Sequence, residues 1–168
     1  MCKHIVATKL FLLVAVFSFF DFSAVPTIAQ QEPSSTDNLY VKALNAYLDE
    51  AKRKYAAMTT RDYDNLLVLR NDEITESMPA TIGTHRITYK TNEELKAEFG
   101  RTRSKIPITI IQSMKNEGNR LVIHMNEYWF SASRKKYLHA LEGGCKVEFM
   151  FDCSKKQFVI EKVSLWGV

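Results

Sequence analysis

Residues 106–131, IPITIIQSMKNEGNRLVIHMNEYWFS, decide the fold. Two largely apolar runs with strand-like alternation flank Asn116, Glu117, Gly118 and Asn119, a turn signal between two strands. Pairing them across a two- or four-residue loop sets Ile110 opposite Met125, Ile108 opposite Glu127 and Ile106 opposite Trp129. One face then holds Ile106, Ile108, Ile110, Met114, Leu121, Ile123, Met125 and Trp129. The other holds Thr109, Ser113, His124, Asn126 and Tyr128, a polar set expected to meet water.

Glu127 is the odd member of the apolar face. A carboxylate there is costly unless it is paired or wet, so Glu127 is expected to be buried within hydrogen-bond reach of a histidine, a second carboxyl or a helix tyrosine. The next strand, 137–152, supplies two such neighbours. Unbroken alternation brings His139 beside Trp129, one pairing step from Glu127. A bulge at Gly143 and Gly144 would flip the parity and bring Glu142 there instead.

Outward from this hairpin the elements are regular. Tyr40, Leu44, Tyr47, Leu48, Ala51, Tyr55 and Met58 recur at intervals of three and four, forming one helical stripe that Thr36 or Asp37 can cap. A short apolar strand follows at 65–70, a loop-like stretch at 72–84, and an alternating strand at 85–90. Thr91 and Glu94 fit a capping box opening a second helix, which Gly100 ends. After the third long strand, 153–156 turns and 158–166 closes the sheet. A short helix within 132–142 is the competing reading of that segment. The expectation is α+β: one domain over 38–168, an N-terminal helix packed on a curved, mostly antiparallel sheet.

The first residues have another character. Lys3 and Lys9 flank the start, 10–25 is apolar except for Ser18, Asp21 and Ser23, and Thr27-Ile28-Ala29 offers small residues where a signal peptidase cuts. The run is near the lower limit of roughly 17 residues for a spanning helix, and Asp21 interrupts it. Residues 1–29 therefore read as a cleavable signal peptide, with a retained membrane anchor as the competing reading, and 30–37 as a flexible lead-in. The mature chain is expected to be secreted or periplasmic, with no stable membrane insertion.

Of 23 basic and 19 acidic residues, Lys3, Lys9 and Asp21 leave with that segment, so 21 and 18 remain, a net +3. So small and scattered an excess argues against nucleic acid as a partner. Cys145 and Cys153 remain as well. On one extended strand their sulfurs would lie about 26 Å apart at ~3.3 Å per residue, whereas a disulfide needs Cα atoms within about 7 Å. Both are read as free thiols.

No nucleophile elbow, zinc-helix, P-loop or dinucleotide motif is present. The two His-x-x-Glu strings, His124 to Glu127 and His139 to Glu142, place their side chains on opposite faces of a strand, so neither chelates a metal. No cofactor is implied. What remains is a set of groups aimed at the inner face. Glu127, His139 and Tyr47 are the candidate catalytic residues; Tyr55, Met125 and Trp129 are candidate pocket walls for a small apolar ligand.

The element order, with Tyr47 on the helix and a glycine-bent sheet, resembles the cystatin-like roll of the nuclear-transport-factor-2-like superfamily. Its small exported bacterial members carry in their last strands a phrase like GGCKVEFMFDC, here 143–153. The resemblance covers 37–168 and implies a sheet wrapped on a helix around a conical pocket. Ketosteroid isomerase-like and dehydratase-like enzymes share that roll with non-catalytic modules. The isomerase-like pattern implies a helix tyrosine and two strand carboxyls; Tyr47 and Glu127 match it loosely. Two functions are therefore expected to compete. The first is a non-catalytic ligand-binding or protein-interaction module, with a homodimer through the sheet as one form. The second is a small enzyme with Glu127 as base, and Tyr47 or Tyr55 with His139 steadying charge. On either, Glu127→Gln is expected to affect ligand retention or activity more than folding.

Overall fold

In the computed structural model, residues 38–55, 61–100, 104–132 and 136–167 are described. The expected signal segment and lead-in, with Thr36, Asp37 and Met58, lie outside the described residues. Helix α1 spans Leu39–Tyr55 and buries Ala43, Leu44, Tyr47, Leu48, Ala51 and Tyr55. Asn38 caps it, its side-chain oxygen accepting from the Tyr40 N–H at 2.9 Å. Lys52, Arg53 and Lys54 fill its last turn, where positive charge meets the negative end of the helix dipole.

Strand β1 is Asn65–Leu69, the short helix α2 is Asp72–Thr75, β2 is Thr81–Ile82 and β3 is His85–Lys90. Helix α3, Asn92–Phe99, opens on the Thr91–Glu94 capping box with both reciprocal bonds made. Then come β4 (Ile106–Ile111), β5 (Lys115–Glu117), β6 (Arg120–Ala132), β7 (Tyr137–Asp152) and β8 (Gln157–Gly167). Residues 137–142 are strand, so the competing helix there is not formed. The strands make one sheet in the order β2-β3-β1-β4-β6-β7-β8, with β5 alongside β6. β1 runs parallel to both β3 and β4; the other pairs are antiparallel. The molecule is thus α+β, a helix packed on a mostly antiparallel sheet, and Glu32–Val168 forms one compact unit.

Both faces of the sheet carry core. On one, α1 packs with Leu66, Val68, Ile111, Ile123, Met125, Cys145, Val147 and Phe149. On the other, Leu95 of α3 packs with Ile108 and Phe130, flanked by Ile106, Ile110 and Tyr128. This corrects the expected register. Ile108 lies opposite Tyr128, and Thr109 lies opposite Glu127. Ile106, Ile108 and Ile110 therefore turn away from α1, and the face expected to be wet is partly covered by α3. The cause lies in residues 112–114. The turn is tight but lies one residue further along than expected, with Gly118 at φ 70° and Glu117 opposite Arg120, a displacement that by itself keeps the same faces. Between Lys115, opposite Val122, and Ile111, opposite Met125, one side of the hairpin holds an extra residue. A one-residue slip turns every β4 side chain to the other face.

The sheet breaks register again between Glu127 and Tyr128, where Glu127 faces Gly143 and Tyr128 faces Leu141. Glu142 is the extra residue, so the bulge reading holds and the alternation reading does not. Gly144 is required beside it: a Cβ there would lie 2.5 Å from the Met125 carbonyl oxygen and 2.6 Å from the Trp166 ring. Among the described residues no helix is long and apolar enough to cross a membrane.

Candidate functional site

The inner face converges on Glu127, which is only 7% exposed. Tyr47, fully buried on α1, donates its hydroxyl hydrogen to Glu127 Oε1. Arg61, in the segment between α1 and β1, brings Nε to 3.3 Å from Glu127 Oε2. The same nitrogen lies 3.1 Å from Glu142 Oε2, which a second guanidinium nitrogen also contacts. Arg61 thus bridges two strand carboxylates, and its side chain is 5% exposed. Its guanidinium carbon stands 5.6 Å from the Trp129 ring centroid, within cation–π range. Tyr63 meets Tyr47 edge to face, with centroids 6.4 Å apart.

Electrostatics follow from this packing. Burial pushes the Tyr47 phenol well above its ordinary value, and the Glu127 charge and hydrogen bond push it further; Arg61 opposes both. Burial, aided by Glu127, raises Tyr63 to about 12. Both phenols are therefore neutral donors at neutral pH. Thr109 Oγ1, opposite Glu127, is buried and has no hydrogen-bond partner among the described residues. A narrow cleft of about 60 Å³ lies beside Arg61, Tyr63, Leu66, Leu67 and Pro107. A larger groove of about 610 Å³ runs along the outer side of α1, past Val41, Asn45, Ala46, Pro79, Ile82 and Ile160.

The expected site residues do not all meet. Tyr47 and Glu127 touch, and Trp129 backs the cation that joins them. His139 is elsewhere: it faces Phe130, its Nε2 lies 3.1 Å from Asn92 Oδ1 of α3, and burial lowers its pKa. The bulge at Glu142 put it on the α3 side, so it cannot serve with Glu127. Tyr55 ends α1, its hydroxyl 3.4 Å from the Gly167 carbonyl oxygen. Met125 is fully buried opposite Cys145, within the cluster that packs under α1. Cys145 and Cys153 are free thiols, and burial raises Cys145 to about 12. Among the described residues no group of three or more metal-ligating side chains comes together.

Arg61 and Tyr63 were not singled out from the sequence. The signal for Arg61 was indirect: a carboxylate on an apolar face demands a cation, and Arg61 belongs to the first segment that α1 returns toward the sheet.

Comparison with protein-family models, curated proteins and solved structures returns no match.

Proposed function

We propose that this domain is a nuclear-transport-factor-2-like roll working outside the cytoplasm as a non-catalytic module that binds other protein. The observation that carries the reading is the occupied carboxylate. Glu127 accepts from Tyr47 through one oxygen and pairs with Arg61 through the other, the arrangement that makes a buried carboxylate tolerable as a structural group. On the α1 face the described side chains pack into one buried cluster, which favours a core there over a site for a small apolar ligand. Large apolar side chains instead lie on the outside, among them Leu138, Leu141, Phe151 and Trp166. The signal segment and the order of elements support the compartment and the roll.

A photo-crosslinking side chain at Leu141 or Phe151, in the full chain expressed in its own host, tests this. Adducts of protein mass at these positions, absent when the probe is at exposed Lys155, support the reading. An absence of protein adducts at both contradicts it.

One observation favours the enzyme of isomerase or dehydratase type as the second reading. Tyr47, Glu127 and Glu142 supply a helix tyrosine and two strand carboxyls, and the hydroxyl of Thr109 beside them has no hydrogen-bond partner among the described residues. That reading requires Arg61 to leave Glu127 when substrate enters, and Glu127→Gln to abolish turnover without loss of fold.

A further inference from the structure

Strand β7 outruns β8. It pairs with β6 from Tyr137 onward, but its pairs with β8 begin only at Gly143. Among the described residues, 137–142 therefore has a strand on one side only. An open edge presents unpaired N–H and C=O groups, which proteins usually guard with charge, proline or a bulge. The outer edge of β8 has such guards, with Glu161 and Lys162 exposed at a bulge. The β7 segment has only the bulge at Glu142, at its very end. Its one charged residue, Glu142, is held inward on Arg61. Its remaining residues include Tyr137, 46% exposed, Leu138, 64%, and Leu141, 60%.

We propose that residues 137–142 pair antiparallel with the same segment of a second copy of this chain, about a two-fold axis at His139. This names the partner for the protein-binding surface above and rests on that reading. The sequence of the edge selects the register. In an antiparallel pair, successive residues turn their backbone groups to alternate sides, so self-pairing sets residues of like parity opposite one another. Centred on His139, Tyr137 meets Leu141 and Leu138 meets Ala140, each contact occurring twice, as a two-fold interface requires. Both of the most exposed leucines are covered and no charged side chain enters. Centred on Ala140, Leu138 would meet Glu142 instead. His139 meets its own copy, and its burial against Asn92, Tyr128 and Phe130 favours the uncharged ring.

Six residues a side is small beside the roughly 800 Å² per partner of a standard interface, so the dimer should dissociate in the micromolar range. Sedimentation of the purified protein over micromolar concentrations tests it. Wild type should pass from monomer to dimer, and Leu141→Lys should weaken the dimer by about tenfold or more without lowering the melting temperature. In a Cys153→Ser background, His139→Cys should give a disulfide-linked dimer on oxidation, because opposed Cα atoms at about 4.5–5.5 Å suit that bond. A chain that stays monomeric, or a dimer indifferent to Leu141→Lys, overturns the proposal. If the monomer is accompanied by crosslinks from Leu141 to other proteins, the dimer falls and the interaction reading stands. A monomer with no protein crosslinks removes both.

Discussion

Tyr47 on α1 donates its hydroxyl hydrogen to Glu127 at the middle of β6, across 80 residues of chain. The contact ties the helix to the sheet at the point where β7 bulges. Arg61 completes the arrangement by holding Glu127 and Glu142 together. Its consequence is mechanical before it is chemical: a buried carboxylate is made tolerable by one phenol and one guanidinium.

Substitutions in this cluster should therefore be read in stability. Arg61→Met leaves two carboxylates without their cation and should cost about 3–5 kcal/mol. Tyr47→Phe removes one donor and should cost about 1–3 kcal/mol. Glu127→Gln keeps an acceptor for Tyr47 but loses the ion pair, and should fall between them. This reverses the expectation from the sequence, because Arg61 pairs with Glu127 inside the fold. Urea unfolding measures all three; an Arg61→Met loss below about 0.5 kcal/mol, the level of an ordinary surface change, would contradict it.

Alkaline pH should unfold the domain. Tyr47 is raised well above 10.0, and Tyr63, Tyr89 and Cys145 are raised to about 12, with burial the largest cause for each. In the unfolded chain the same groups release protons near 10.0 for tyrosine and 9.0 for cysteine. The folded state then holds protons that the unfolded state has lost. The stability these groups contribute is complete below about pH 9 and falls as pH rises toward 12. Melting temperatures across that window should decline, less steeply in Tyr47→Phe. A flat profile is the opposing result.

The two thiols of the described domain should behave differently. Cys153 is exposed and should react at once with a disulfide reagent. Cys145 is fully buried, with its thiol raised to about 12, and should react only on unfolding. The count also tests the proposed signal peptide: one fast thiol is expected if the segment carrying Cys2 is removed, and two if it is kept. Fast reaction of Cys145 in the native protein would show that the core opens.

Much of this architecture was legible because its signals are local. The stripe from Leu44 to Tyr55 gave α1, Thr91 and Glu94 gave the start of α3, and the turn residues around Gly118 gave the β5–β6 hairpin. The β4 register was not legible. IPITII is apolar at nearly every position because α1 covers one face and α3 the other, so alternation could not say which residues turn inward. The same holds for Leu66 to Leu69, a continuous apolar run between two parallel neighbours. At the site, Glu127 was legible as an anomaly on an apolar face, and Glu142 as one of two alternatives. The choice between His139 and Glu142 rested on a single bulged residue; Gly143 and Gly144 mark where a bulge could form, not whether one does. Arg61 was hidden because a lone arginine in a connecting segment looks like surface.

Native mass spectrometry of the protein isolated from its own host tests the central claim, that the Tyr47–Glu127–Arg61 cluster closes the core and leaves binding to the outer surface. Wild type and Glu127→Gln should both appear at the mass of the chain alone or of a multiple or complex of protein chains, with no small molecule retained. A small-molecule adduct that wild type carries and Glu127→Gln loses, with the fold intact, would contradict the account and make Glu127 a site residue.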